Sequence, residues 1–406
     1  MNSRERVLTA LRHQEPDQVP VDFGGTSNTG IVYTAYKELR EHLGLPPSRL
    51  RVYDVMQMLV EIDPDLREMF ETDVVGFERI NFRYGLSNRS WRQYTMPNGV
   101  QIEVSADFEP EIDDEGGLVI KRGGRSVARM PANGYWFDST YSPLAEAQTP
   151  ADLDRFLWPD WPDEELEMLR QLAKGLYEQT HYAIVGTHGG GLFQNGHGLR
   201  GWEQWMLDLA GNPDMAEAIL DKMLEQNIRT MNAYLDAVGD YIQVVKVGDD
   251  LGTQTGPLMS LAMFRRLFKP RYREFYQFIK KRRPNVYIYL HSCGAMSQFI
   301  PDLIECGVDI LNPVQISAAA MDPARLKAEY GDKLTFWGGG VDTQGTLPFG
   351  TPDQVREEVR RLIGIMAPGG GFVWGTVHNI QANVPVANIA AAFGSVRENR
   401  RYPIRV

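Results

Sequence analysis

From Tyr182 to Trp374 the chain alternates short segments that are apolar at nearly every position with longer amphipathic ones, and this rhythm constrains the fold more than any other feature. The apolar segments are residues 182–186, 241–247, 286–290, 308–311, 334–337 and 371–374. A strand without polar alternation is one buried on both faces, the situation of a parallel sheet covered by helices. The amphipathic stretches between them include residues 214–237, 261–281 and 352–366. The last opens with Thr351 placed as a cap and Pro352 in the first turn, where a missing N–H is harmless. Repeated βα units either close into a barrel or spread into an open doubly wound sheet. No strand runs into the G-x-G-x-x-G turn of a dinucleotide-binding sheet, so the expected fold is a (β/α)8 TIM barrel.

Two additions to that barrel are legible. At the N-terminus a helical stretch, residues 4–12, precedes Gln18-Val-Pro-Val-Asp22-Phe-Gly-Gly25, which reads as a strand delivering Asp22 to a loop. Between residues 84 and 138, short alternating segments flank Pro97-Asn-Gly99 and Gly116-Gly117, the pattern of a β-hairpin-rich insertion. Residues 1–406 are expected to form a single barrel domain carrying both.

Composition narrows the partners. With 43% hydrophobic residues the chain can build a large core, which excludes a mainly disordered or disulfide-scaffold class. A formal charge of -11 leaves no global basic field, so no nucleic acid is expected. No run approaches the length of a membrane span, and the first residues lack a secretory pattern. Only Cys293 and Cys306 are present, too few for a disulfide framework, which fits a reducing, cytoplasmic setting. Small molecules and soluble proteins remain as partners, and a homodimer is compatible with all of this.

The polar residues that directly follow the strands are His188, Asp249, Asp250, His291, Cys293, Asn312, Gln315, Asp342 and His378. In a barrel these positions converge on the C-terminal mouth. His291-Ser-Cys293 sets an imidazole and a thiol two residues apart, on one side of an extended backbone, which is chelating geometry. Zinc takes nitrogen and sulfur ligands, and a catalytic zinc keeps three protein ligands and one open position. Cys306 ends a helix at Gly307 and reads as a core cysteine, so His378 is the better third ligand. Asp249 and Asp250 are the candidate catalytic carboxylates, suited to a substrate hydroxyl, to general-base work or to a remaining metal position; one of them could equally cap a helix. The loop His188-Gly-Gly-Gly-Leu-Phe-Gln194 can approach a ligand closely but lacks the lysine of a phosphate loop. Lys246, inside an apolar strand, is expected to pair with an acidic residue and is given no function.

Several of these segments together resemble a known family. The opening Arg4-Glu-Arg-Val-Leu-Thr-Ala-Leu-Arg-His-Gln-Glu-Pro-Asp-Gln-Val-Pro-Val-Asp22, the His291-Ser-Cys-Gly294 element, Gly340-Val-Asp-Thr-Gln344 and His378-Asn-Ile-Gln381 are similar to the uroporphyrinogen decarboxylase superfamily, in its decarboxylase-like and cobalamin-dependent methyltransferase branch. The resemblance implies a (β/α)8 barrel and, in the methyltransferase branch, a zinc held by H-x-C plus a cysteine after the final strand. Here that last position is His378. One thiolate and two imidazoles leave about +1 on a zinc site, a stronger Lewis acid, which shifts the expected substrate from a thiol to an oxygen. The expected function is therefore a methyltransferase or O-demethylase component that moves a methyl group between a small oxygen-containing substrate and a corrinoid (cobalamin) carried by a partner protein. A carboxy-lyase of the decarboxylase type and a ligand-binding barrel without catalysis are the alternatives. The decarboxylases carry an arginine-rich motif near the first strand, whereas residues 14–36 contain neither Arg nor Lys. The glycines 189–191 with Phe193 and Trp374 are the candidate wall around a small substrate, although both aromatics could equally be barrel core.

Overall fold

The computed structural model describes residues 1–81 and 83–405. Seven parallel strands lie side by side in chain order: β1 (Val74–Phe77), β2 (Ala183–Gly189), β3 (Val244–Gly248), β4 (Tyr287–His291), β5 (Ile310–Asn312), β6 (Thr335–Trp337) and β7 (Phe372–Val373). Residues 20–22 fill the gap between the last strand and the first. Trp374 donates its N–H to the Pro20 carbonyl and Asp22 donates to the Trp374 carbonyl, both at 2.8 Å, while Asp73 donates to the Val21 carbonyl at 2.7 Å. Val21 and Trp374 form a parallel bridge. The ring thus has eight members, and the expected TIM barrel is the observed fold.

Alternation along the strands sorts the side chains into two layers. Val74, Ala183, Val185, Val244, Tyr289, Ile310, Trp337 and Val373 form one buried cluster inside the ring, closed from below by Val7 and Leu11 of α1 (Ser3–Leu11). Their neighbours Val75, Ile184, Val245, Ile288, Leu311 and Phe336 point outward into the larger core beneath the helices. Each fully buried Val or Leu of this kind contributes roughly 1.5–3 kcal/mol relative to exposure. The inward register carried one step past the apolar layer reaches Glu78, Lys246, His291 and Asn312, so the mouth is polar where the floor is not.

The helices follow their sequence signals. α2 (Phe193–Arg200) comes directly after the glycine loop, and α3 (Pro213–Val238) is capped by Asn212. The stretch expected as one helix over residues 261–281 is broken into Leu261–Met263, a π turn Phe264–Phe268 and α4 (Lys269–Arg282). Pro270 explains the irregularity, because it lacks the N–H that would bond back to the previous turn. α5 (Ile300–Cys306) ends at Gly307 with φ 107°, and Cys306 is fully buried, as expected of a core cysteine. α6 (Pro352–Met366) has the reciprocal capping box of Thr351 and Gln354.

Between β1 and β2 stand the antiparallel pair Trp91–Thr95 and Gln101–Ser105, and a four-stranded antiparallel sheet of Glu111–Ile112, Leu118–Arg122, Arg125–Met130 and Asp138–Ser139. Among the described residues, no helix is long and apolar enough to cross a membrane.

Candidate metal centre at the barrel mouth

His291 is the last residue of β4, Cys293 lies two residues beyond it, and His378 follows β7 from the far side of the ring. One ligand atom from each falls within 4.8 Å of the others. A tetrahedral shell around zinc needs ligand atoms about 3.3–3.8 Å apart, so small side-chain rotations close the set. Cys293 Sγ is already 3.3 Å from His291 Nε2.

The tautomer of His291 is set by its support. Asn312 donates Nδ2–H to the Trp337 carbonyl at 2.8 Å, which leaves its Oδ1 as the acceptor 2.6 Å from His291 Nδ1. Nδ1 therefore carries the proton, and the Nε2 lone pair faces the mouth. Burial lowers the His291 pKa to about 4 and lowers that of His378, so both imidazoles are neutral at pH 7, the form that can bind a metal. Burial, with Asp250 adding to it, pushes the Cys293 thiol well up. A thiolate in such a place needs a cation beside it, and a divalent metal supplies one. Asn28 donates Nδ2–H to His291 Nε2 at 3.0 Å, and its buried Oδ1 has no partner among the described residues. The donor set and the fixed lone pair fit a metal ion, which would take the place of the Asn28 N–H at Nε2 and would leave the amide free to turn its orphaned oxygen.

Asp249 and Asp250, either of which was expected to serve the substrate, face different surroundings. Asp249 is buried, and its oxygens accept the backbone N–H groups of Leu192 at 2.5 Å, Phe193 at 2.7 Å and Gln194 at 2.7 Å, and the hydroxyl of Tyr272. It holds the start of α2, a different helix from the one that follows it in sequence, and has no oxygen left for a substrate. Burial raises its pKa to about 6. Asp250 faces the metal cluster: Oδ1 accepts the Cys293 N–H at 2.8 Å and stands 3.7 Å from His291 Nε2, while Oδ2 accepts from Gln194 at 2.6 Å.

The other expected positions fall into supporting roles. A side chain at Gly191 would meet the Gly248 carbonyl at 2.3 Å, so the glycine loop closes on β3 and Asp249. Phe193 and Trp374 are buried core residues, packed against Phe268 and Phe393 respectively, and do not wall the mouth as expected. Nothing in the apolar sequence around them distinguishes the two uses. His188 stacks on Trp161 at 5.1 Å and contacts Thr230 through Nε2. Asp22 accepts from Gly25 and from the Trp337 indole, shaping the first loop, and Gln315 accepts the Gly294 N–H at 2.7 Å. Asp342 caps its own turn through Gln344.

Sequence reasoning missed Ser27, Asn28 and Glu78, which meet Lys246 and the imidazoles at the mouth. The only available signal was Lys246 itself, a cation in an apolar strand; its acidic partner is Glu78 at 3.6 Å.

Comparison with known proteins adds an independent line. Residues 143–399 match the family model described as uroporphyrinogen decarboxylase (URO-D). The chain is 25% identical over 188 residues to a uroporphyrinogen decarboxylase of Saccharophagus degradans, covering 46% of this chain and 49% of that protein. It is 28% identical over 176 residues to the methylcobamide:CoM methyltransferase MtaA of Methanosarcina barkeri, covering 42% of this chain and 48% of that protein. The chain thus spans about half the length of these curated relatives. A solved methyltransferase from Methanosarcina mazei shares the fold, with a TM-score of 0.58 and 20% identity across 98% of this chain and 99% of that one.

Proposed function

Since the chain belongs to the uroporphyrinogen decarboxylase family, we propose that it is a zinc-dependent methyltransferase or O-demethylase component, moving a methyl group between a small oxygen-containing substrate and a corrinoid carried by a partner protein. The observation that carries this reading is the convergence of His291, Cys293 and His378, with the His291 lone pair fixed toward the mouth. A zinc held by these three would supply Lewis-acid activation of an oxygen, with a charge of about +1 on the site.

The chain's own residues divide the remaining work. Asp250, with its carboxylate 3.7 Å from His291 Nε2, orients the substrate and holds its proton. Asp249 and Gln315 keep the two loops in place, and Asn312 keeps the imidazole turned. The carboxy-lyase alternative is disfavoured by the first loop. There the buried residues Ser27, Asn28 and Thr29 occupy the rim, and several substrate carboxylates would find no guanidinium in it.

The test combines metal analysis with the cobalamin spectrum. Purified protein is expected to contain stoichiometric zinc, lost with Cys293→Ser, and to change the spectrum of added corrinoid when a methoxylated compound is present. Loss of carboxyl groups from uroporphyrinogen with no corrinoid change would favour the carboxy-lyase instead. Neither activity, with zinc absent, would leave a binding barrel.

A further inference from the structure

The mouth holds a cation that the metal reading leaves unused. Lys246 lies on β3 in register with Tyr289, two residues below His291, and its side chain is 8% exposed. An ammonium in such a place is costly unless its donors are satisfied. Here they are not. Nζ has three hydrogens to give, and among the described residues its one hydrogen bond goes to Ser27 Oγ at 2.8 Å. Glu78 Oε1 stays at 3.6 Å, close enough to balance the charge but beyond hydrogen-bond reach. Among the described residues that oxygen takes only the long 3.3 Å bond from the Ser27 N–H.

This pair is tied directly to the metal cluster. Ser27 receives Lys246, and the next residue, Asn28, donates to His291. Asn379, which follows His378, donates to the Ser27 carbonyl at 3.2 Å. One short turn, Ser27–Thr29, therefore sets the distance between the ammonium and the imidazoles.

A donor and an acceptor 3.6 Å apart, neither satisfied by the other, match one kind of group. A hydroxyl can accept from the ammonium and donate to the carboxylate at once. A substrate carboxylate fits worse, because it would face Glu78 and the buried carboxyls of Asp22 and Asp54, which already draw on Lys246 and, at Asp54, on Arg83. We infer that Lys246 and Glu78, steadied by Ser27, form a hydroxyl-binding subsite beside His291, Cys293 and His378, and that the substrate is a neutral methyl ether or alcohol carrying a second, free hydroxyl. The ether rests on the methyl-transfer reading; the hydroxyl rests on these side chains.

Isothermal titration of the chelator-treated full chain tests it with two scaffolds, each in three forms. The aromatic set is guaiacol, its methyl ether veratrole and the matching ortho-methoxybenzoate; the aliphatic set is methoxyethanol, dimethoxyethane and methoxyacetate. On at least one scaffold the hydroxyl form is expected to bind tenfold or more tightly than its dimethyl form, because a methyl ether still accepts from the ammonium but has no hydrogen for the buried Glu78 carboxylate and brings a methyl group against it. Lys246→Met and Glu78→Gln should each erase that preference, and Ser27→Ala, which changes no charge, should weaken it. If a charge variant does not fold, the wild-type titrations and Ser27→Ala decide. Equal binding of hydroxyl and dimethyl forms on both scaffolds, tightest binding of a carboxylate, no binding by any of the six, or a preference that survives in the variants would overturn the subsite. A hydroxyl preference without methyl transfer to a corrinoid supports the subsite and defeats the methyl-transfer reading. Methyl transfer without the preference does the reverse.

Discussion

Asn312 determines which nitrogen of His291 faces the barrel mouth: its amide is anchored on the Trp337 carbonyl at 2.8 Å, so only its oxygen can meet Nδ1, at 2.6 Å. An apolar residue at this position would free the ring to rotate or change tautomer. Asn312→Leu is therefore expected to lower zinc affinity about ten- to a hundredfold, measured by competition with a chromophoric chelator. Asn312→Asp still accepts from Nδ1 but sets an oxygen against the Trp337 carbonyl, so it should fall between wild type and the leucine variant. Unchanged affinity in the leucine variant would remove the tautomer argument.

The separation of Asp249 from Asp250 gives opposite expectations for two adjacent substitutions. Asp249→Ala strands three backbone N–H groups and the Tyr272 hydroxyl in a buried place, so a loss of about 3 kcal/mol or more in stability is expected. Asp250→Asn keeps an acceptor for the Cys293 N–H, so its melting temperature should hold while methyl transfer falls at least tenfold. If Asp249→Ala melts like the wild type, or Asp250→Asn is fully active, the division of labour is wrong.

How much of this was legible depended on the range of the signal. The six strands from β2 to β7 were visible because each is apolar at nearly every position and is followed, after a loop, by an amphipathic helix. β1 was not, since Val74–Phe77 is four residues long, contains Gly76, and is separated by the insertion from the helix Asp163–Gln179. The metal cluster could be read because its members end strands, and strand ends in a barrel share a mouth. Ser27, Asn28 and Glu78 could not: their meeting with β3 and β4 depends on closure of the ring by residues 20–22, a contact across the whole chain. Which of Asp249 and Asp250 takes which part was not legible, because a carboxylate at a strand end looks the same in sequence whether it caps a neighbouring helix or faces a substrate.

The insertion offers a test of the proposal that residues 1–406 fold as one domain. Its two antiparallel sheets turn at exposed residues such as Asn98, Gly99, Gly123 and Gly124, where a protease finds accessible backbone. Limited proteolysis is expected to cut first at those turns and to leave the barrel strands associated, as judged by gel filtration of the nicked protein. A stable fragment ending near residue 200 would show instead that the two halves fold independently.

Asp54 supplies a prediction about pH. It is 3% exposed, and burial raises its pKa to about 6, with the nearby Glu78 adding to the effect and Arg83 and Lys246 opposing it. The folded protein therefore holds this proton more tightly than the unfolded chain does. Below about pH 4 the group is protonated in both states and costs nothing; above about pH 6 it is ionised in both, and the cost of a buried charge is felt in full. Stability should fall as pH rises through that window, by up to about 3 kcal/mol from this one group. Asp249, whose pKa is also raised to about 6, adds a contribution of the same sign. Asp54→Asn keeps the acceptor for the Gln57 N–H and carries no charge, so the variant should match wild type near pH 4 and exceed it at pH 7. Urea unfolding at several pH values compares the two directly. A wild-type stability that rises through this window in parallel with the variant would show that Asp54 is ionised in the fold at no cost, against the burial argument.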